Sequence, residues 1–117
     1  MDKILFFTML YDFYGELLTD KQKEIFELYH LNDYSLYEIG SQFNISRQAV
    51  LDSIKRTEKS LLHYEEKLSL IEKYLNQQKI VDKIINNIEN IISNNSLNSD
   101  LKLSLTDVKN SLSYLLD

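Results

Sequence analysis

The sequence contains no cysteine and no proline, and glycine occurs only twice in 117 residues. Without cysteine, disulfide frameworks, thiolate zinc sites and cysteine nucleophiles are all excluded. Because helix breakers are so rare, long helices form easily, and a fold of many strands joined by tight turns is disfavoured. We therefore expect an all-α protein, of a length suited to a single domain, residues 1–117, with one modest core.

Motifs of catalysis and metal binding are also missing from the sequence. There is no glycine-rich phosphate loop, so nucleotide hydrolysis is not expected. The two histidines, His30 and His63, lie far apart without partners at ligand spacing, which favours packing or surface roles over metal binding. Aspartate and glutamate occur at helix caps or on polar faces rather than as an acid/base pair. We therefore predict no catalytic residue, no metal site, no cofactor and no enzymatic activity.

The apolar run at the N-terminus, MDKILFFTMLYDFYGELL, has the pattern of a core helix rather than of a signal peptide. No small-residue cleavage site follows it, and Asp12 and Glu16 interrupt it. The run is also too short to span a bilayer. One helical face carries Leu10, Tyr14, Leu17 and Leu18, with Phe6, Phe7 and Phe13 flanking it. We therefore expect a cytoplasmic protein without membrane insertion.

Cap signals rather than linkers divide the first half of the chain. Residues 19–22 (TDKQ) and 35–38 (SLYE) both have the capping-box pattern, in which the first and last side chains bond each other's backbone N–H. Asn44 is expected to take the left-handed conformation in a short turn, and Ser46 to cap the helix that follows. These signals predict two short helices joined by a three-residue turn.

Apolar residues around this turn have the spacing of a helix-turn-helix. They are Leu36, Ile39, Phe43, Ile45, Val50 and Ile54. Gly40 falls where the two helices would cross, and its lack of a side chain permits their close approach. The sequence therefore predicts a helix-turn-helix within residues 1–62.

From residue 61 onward, apolar residues recur every three or four positions between charged ones, as on long amphipathic helices. The stripe comprises Leu61, Leu68, Ile71, Leu75, Val81, Ile84, Ile88, Leu105, Val108, Leu112 and Leu115. A polar break, SNNSLNS at residues 93–99, separates the last helix. Because one small motif covers few aliphatic side chains, we predict that residues 63–117 form a helical tail that makes a homodimer. The alternative is a last helix that folds back within one chain.

The stretch LTDKQKEIFELYHLNDYSLYEIGSQFNISRQAVLDSIKRTEKSLLHYEEKL resembles the YlxM-like family of small bacterial proteins. The genes of this family commonly lie beside those for the protein component and receptor of the signal recognition particle. The similarity covers residues 1–74, and SRQAV and IKRTEK are its most telling pieces. The resemblance implies an all-helical protein whose motif is related to the promoter-reading region 4 of sigma factors. It also implies a role in, or regulation of, targeting by the signal recognition particle.

The second helix of the motif is predicted to present a basic outer face. With Val50 pointing inward and about 100° per residue, Ile54, Thr57 and Leu61 also point inward. The residues expected to contact DNA or RNA are Ser46, Arg47, Gln48, Asp52, Lys55, Arg56 and Lys59. Gln48 matches adenine, whereas the cations suit phosphates. Residues 46–59 include four basic and two acidic residues, in a chain of net charge −5.

A purely structural interpretation of the same helix stays open. Asp52 has the spacing of intrahelical ion pairs with Lys55 and Arg56, and it lies in the middle of the outer face, where it repels phosphates. The acidic chain also lacks the broad basic surface of an independent DNA-binding protein. Two functions are therefore predicted as alternatives. One is a regulatory protein that binds nucleic acid through this helix, and the other is an adaptor that docks on targeting proteins without binding nucleic acid.

Overall fold

Helices form nearly all of the structure, a computed structural model that describes residues 2–116. The α-helices are α1 (Lys3–Tyr14), α2 (Asp20–Phe26), α3 (Leu36–Phe43), α4 (Arg47–Leu68), α5 (Leu70–Asn94) and α6 (Ser99–Leu115). A 3₁₀ turn, Gly15–Leu17, follows α1, and a π-helical turn, Glu27–Leu31, extends α2. No residue between 2 and 116 lies in a β-strand, so the all-α prediction is confirmed.

The chain divides into two compact units, Met1–Ile71 and Glu72–Asp117. The first unit contains α1 to α4 and the first two residues of α5, and the second contains the rest of α5 and α6. Within residues 2–116, each helix is too short or too polar to cross a membrane.

The N-terminal helix packs through one face, but it ends earlier than its sequence pattern predicts. Leu10 and Leu18 are buried as expected, and Phe7, a flanking residue in the pattern, is buried with them. Leu17 is instead 56% exposed, so its predicted place on the inner face is wrong. The cause is the 3₁₀ turn, in which the Leu18 N–H bonds a carbonyl three residues back at 3.0 Å. This tighter turn rotates Leu17 away from the line of a continuous α-helix.

Both predicted capping boxes are present at the starts of α2 and α3. The Thr19 hydroxyl accepts a hydrogen bond from Gln22 N at 3.2 Å, and the Ser35 hydroxyl accepts one from Glu38 N at 3.0 Å. The side chains of Gln22 and Glu38 return the bond by accepting from the cap residue's N–H, at 3.0 and 3.1 Å. Two otherwise unpaired N–H groups are thereby satisfied at each helix start.

The turn between α3 and α4 depends on three small or polar residues. Asn44 is left-handed, with φ 56° and ψ 46°, as predicted. Ser46 caps α4 by accepting a hydrogen bond from Ala49 N at 3.0 Å. A Cβ on Gly40 would lie 2.6 Å from the carbonyl oxygen of Ile45. The close approach at Gly40 is therefore to the backbone of the turn rather than to the side of the partner helix.

The apolar core of the motif joins α2, α3 and α4. Its buried members are Ile25, Ile39, Val50 and Ile54, against which Leu28, Leu36, Phe43 and Ile45 pack. Thr57 and Leu61, further along α4, are buried as well. All four residues of α4 that were predicted to point inward are thus buried, which confirms the orientation of this helix.

A hydrogen-bonded corner, which the sequence did not predict, joins α4 to the start of α5. Ser69 ends α4 in the left-handed conformation, with φ 54°, and its N–H bonds the carbonyl of Glu65 at 2.8 Å. The Tyr14 hydroxyl donates to Oε1 of Glu65 and accepts from Leu70 N at 3.1 Å. The same Glu65 oxygen accepts from Ile71 N at 3.0 Å. One tyrosine and one carboxylate therefore satisfy the first N–H groups of α5.

The second unit leaves much of its apolar surface exposed. Ile88 is buried, and Glu89 of α5 lies 3.9 Å from Lys109 of α6, but α6 contains no buried residue. The exposed large apolar side chains of the second unit are Ile80, Ile84, Ile91, Leu101, Leu103, Val108, Tyr114 and Leu115. Leu61 and Ile71, which the sequence pattern assigns to the same stripe, are buried residues of the first unit. The apolar stripe therefore includes side chains of two different units.

Candidate nucleic-acid interface

The inner face of α4 is held in the core, and its outer side is open. Every residue predicted to contact nucleic acid is exposed, namely Ser46, Arg47, Gln48, Asp52, Lys55, Arg56 and Lys59. Of these, Gln48, Asp52, Lys55 and Lys59 lie within one narrow sector of the helix, which we call the outer face. Arg56 lies at one margin of this sector, and Arg47 is the first residue of α4. A rigid, exposed helix with cations along its length is therefore available to a partner.

The start of α4 carries a contact that the sequence did not reveal. The Arg47 guanidinium lies 5.0 Å from the centroid of the Tyr37 ring, within the range of a cation–π interaction. Tyr37 belongs to α3 and is 61% exposed. These two residues are ten positions apart, and only the turn between the helices brings them together. Tyr37 thus limits where Arg47 can reach, and it is a candidate contact residue in its own right.

In the middle of the outer face, Asp52 bonds Gln48 rather than a cation. The Gln48 amide nitrogen, Nε2, donates to Oδ1 of Asp52 at 2.9 Å. In the described part of the chain, Asp52 lies within ion-pair distance of neither Lys55 nor Arg56, so the pairing predicted from their spacing is wrong. Helical side chains lean toward the N-terminus, so Asp52 reaches back to the residue one turn before it.

Three cations follow along the helix without an acidic partner. Lys55, Arg56 and Lys59 are exposed, and none of them forms an ion pair within residues 2–116. Exposed cations on flexible stems bind phosphates mainly by charge, and such contacts release counterions from a nucleic acid. These three residues are therefore suited to phosphate binding.

A cleft of about 510 Å³ flanks α4 beside the outer face, and most of its lining was not predicted to be functional. Its aromatic walls are Phe7, Tyr29, His30 and Tyr34, and Lys55 lines it from α4. His30 Nε2 lies 3.1 Å from Oε2 of Glu58, and the His30 ring stacks on Phe26 with centroids 4.3 Å apart. His30 thus has a packing role. Tyr29 and His30, which line the cleft, belong to the π-helical turn. Because a π-helical turn departs from 3.6 residues per turn, the period of a regular α-helix does not predict which of its side chains face the cleft.

Neither histidine forms part of a metal site in the structure. Among residues 2–116, no group of three or more His, Cys, Asp or Glu side chains is placed to hold an ion. The side chains on and beside α4 are cations, an amide and aromatic rings, together with the carboxylates of Asp52 and Glu58.

Comparison with known proteins identifies the family of this chain. A family model described as "Putative helix-turn-helix protein, YlxM / p13 like" matches residues 1–107. A UPF0122 protein of Caldanaerobacter subterraneus subsp. tengcongensis is 60% identical over 83 residues, which are 71% of each chain. A UPF0122 protein of Listeria innocua is 46% identical over 102 residues, 87% of this chain and 90% of its own. The chain therefore belongs to the UPF0122 family of YlxM / p13-like helix-turn-helix proteins.

Proposed function

We propose that the protein is a regulatory binding protein that contacts nucleic acid through the outer face of α4. The division of α4 into a buried inner face and an exposed face with unpaired cations carries this proposal. In helix-turn-helix proteins the second helix enters the major groove, and cations around it bind the phosphates. Membership of a helix-turn-helix family supports the same function.

The distribution of charge favours contact at this face over any other part of the first unit. Residues 2–45 contain eight acidic and three basic residues, whereas residues 46–59 contain two acidic and four basic ones. A polyanion is repelled by the acidic part of the chain and attracted to α4. The acidic part also limits non-specific binding, because that binding depends on the number of phosphates neutralised.

Charge reversal of two cations tests this proposal. Lys55→Glu with Arg56→Glu should leave the fold intact, because both side chains are exposed, and should remove most of the affinity for nucleic acid. Titration of labelled duplex DNA and of RNA at low salt measures this loss. Lys79→Glu with Lys102→Glu is the matched control, because it changes the net charge equally at exposed sites of the second unit. Unchanged binding by the α4 variant would eliminate this face.

We also propose that the regulated process is protein targeting by the signal recognition particle, as the resemblance of residues 1–74 implies. Purification of the full tagged chain from its native cells, with bound nucleic acid and protein both identified, tests this link. Recovery of neither particle RNA, nor its protein component, nor the gene region that encodes them would count against it.

A protein adaptor is the second candidate function, and the acidic surface of residues 2–45 favours it. Such an adaptor would use the helix-turn-helix as a scaffold and would dock on a targeting protein. Its binding would tolerate added salt better than phosphate contacts do, and it would survive Lys55→Glu with Arg56→Glu. Salt-tolerant binding to a purified targeting protein, with no affinity for DNA or RNA, would replace the first proposal with this one.

We further propose that two copies of the chain associate through the second unit. Of residues 72–116 only Ile88 is buried, eight large apolar side chains are exposed, and α6 has no buried residue of its own. Residues 72–117 carry six acidic and five basic residues, against twelve and eight in residues 1–71. Two copies therefore repel each other least where their second units meet. A two-fold dimer would also carry two α4 helices, one for each half-site of a palindromic DNA site.

A further inference from the structure

The hydrogen bond between Gln48 and Asp52 has a direction that chemistry fixes. An ionised carboxylate has no proton to give, so the Gln48 amide must turn its nitrogen toward Asp52. The distance of 2.9 Å between Gln48 Nε2 and Asp52 Oδ1 is that of a well-formed bond. Rotating the amide by half a turn would set its oxygen against the carboxylate. The orientation of this exposed glutamine is therefore determined by its neighbour.

This orientation determines what Gln48 offers to a partner. Its oxygen, Oε1, still accepts a hydrogen bond, and the second hydrogen on Nε2 is still free to donate. An acceptor beside a donor matches the major-groove edge of adenine, where N6 donates and N7 accepts. Guanine presents two acceptors, O6 and N7, on the same edge, so it would leave Oε1 facing another oxygen. The nearby charge of Asp52 adds to the repulsion of guanine.

Asp52 has a second effect, which acts on phosphates. It lies among Gln48, Lys55 and Lys59 on the outer face, exposed and without an ion pair in the described chain. A negative charge at this position lowers the attraction of the face for any nucleic acid, whatever the sequence. A negative charge on a DNA-binding helix lowers the affinity for every sequence, so it favours a protein that discriminates between sequences over one that binds all DNA tightly.

We propose that Gln48 selects an adenine in the major groove of duplex DNA and that Asp52 is the positioning residue that holds the Gln48 amide in its reading orientation. This inference rests on the proposed function and narrows its target, because the major groove of A-form RNA is too deep and narrow for such contacts. Asp52 acts through Gln48 and does not itself touch the adenine. Its removal should therefore change affinity and discrimination in opposite directions.

Selection from a pool of DNA duplexes with a randomised central segment tests the inference on the full chain. The wild type should enrich a motif with a fixed adenine, and Gln48→Ala should lose the preference at that position. The expected loss of discrimination is on the order of tenfold. Asp52→Ala removes both charge and acceptor, so it should bind random duplexes several-fold more tightly and also lose the adenine preference.

Two further variants separate positioning from charge. Asp52→Asn removes the charge and retains an oxygen that can accept from Gln48, but its amide can also donate to Gln48, so it should bind random duplexes more tightly and keep only part of the preference for adenine. Asp82→Asn, an equal change of charge at an exposed site on α5, should alter neither property. A structural role for Asp52 alone would not produce tighter non-specific binding together with weaker discrimination.

The outcomes distinguish this inference from the function on which it rests. A wild-type motif that is unchanged in Gln48→Ala would overturn the inference. Binding of duplex DNA with no enriched motif would also overturn it, while leaving nucleic-acid binding through α4 in place. If the wild type binds neither duplex DNA nor RNA at low salt, the proposed function itself fails, and the inference fails with it.

Discussion

At the residue scale, Tyr14 connects the N-terminal helix to the corner where α4 gives way to α5. Its hydroxyl donates a hydrogen bond to the Glu65 carboxylate and accepts one from the N–H of Leu70, the first residue of α5. Burial raises the pKa of Tyr14, and the hydrogen bond to Glu65 raises it further. The neutral hydroxyl is therefore the form that the folded protein stabilises.

Tyr14→Phe should destabilise the protein at neutral pH. The substitution keeps the buried ring but leaves the Glu65 carboxylate and the Leu70 N–H without the hydroxyl, a loss that typically costs about 1–3 kcal/mol. Urea unfolding of the full chain, followed by circular dichroism, measures the change. Tyr114→Phe is the control, because Tyr114 is 78% exposed and should have no effect. Equal midpoints for Tyr14→Phe and the wild type would contradict the role assigned to the hydroxyl.

The same residue predicts how stability depends on alkaline pH. Because the pKa of Tyr14 is higher in the folded chain than in the unfolded one, its contribution is complete below about pH 10 and is lost as pH rises through the raised pKa. Burial and the bond to Glu27 raise the pKa of Tyr11 in the same direction. The wild type should lose stability above about pH 10, and Tyr11→Phe with Tyr14→Phe should flatten this loss. An equally steep loss in the double variant would assign it to other groups.

At the scale of helices, Ser69 determines where α4 ends. It is left-handed at φ 54°, a conformation that costs a residue with a side chain roughly 1–2 kcal/mol and costs glycine little. Glycine is the usual residue at this position after a helix, and the sequence KLSLIEK contains none. Without a glycine to mark the end of α4, the apolar pattern of the sequence continues from α4 into α5. In the structure, α4 ends at Leu68 and α5 begins at Leu70.

Ser69→Gly should therefore stabilise the protein by about 0.5–1 kcal/mol, since relief of the left-handed conformation outweighs the added freedom of the unfolded chain. Ser60→Gly, inside α4, is the matched control and should destabilise by a few tenths to about 1 kcal/mol. Opposite shifts of the urea midpoint for the two variants would support the corner seen here. A loss of stability in both would mean that α4 and α5 are joined differently.

At the scale of the whole molecule, the two units differ in how they treat apolar surface. The first unit exposes ten large apolar side chains but buries eleven others, some of them in a core that joins α2, α3 and α4. Between residues 72 and 116, the second unit exposes eight large apolar side chains and buries only Ile88. This asymmetry is what favours the association of two copies through the second unit.

Two exposed isoleucines provide the test of that dimer. Ile80→Asp with Ile84→Asp should give a monomer by light scattering and leave helicity unchanged, because both side chains are exposed within one chain and would be buried only at a dimer seam. Asn86→Asp with Asn87→Asp is the matched control on the same helix and should stay dimeric. Ile88 is unsuitable as a probe, since it is already buried in the monomer.

Two results would contradict this prediction in different ways. A wild type that keeps the mass of one chain on concentration would contradict the dimer altogether. A dimer that survives both isoleucine substitutions would move its interface elsewhere, and the aromatic N-terminal helix would be the next surface to test.

Much of this protein was determined by the sequence itself, because the signals that mark helices are local. The capping boxes at Thr19 and Ser35, the left-handed Asn44 and the inward stripe of α4 each depend on residues within a turn or two of one another. Such contacts form in any chain that places those residues at those spacings. The all-α fold, the motif and the exposure of the candidate contact residues followed from them.

Other features were decided only by the tertiary structure, since they depend on residues that are distant in sequence or on backbone that departs from the regular helix. The contact of Arg47 with Tyr37 needs the turn between two helices, and the corner at Ser69 needs Tyr14 from the other end of the unit. The exposure of Leu17 follows from a 3₁₀ turn that breaks the period of 3.6 residues. The choice of Gln48 as the partner of Asp52 was local but equally unpredicted, because several partners share helical spacing and only side-chain direction selects among them.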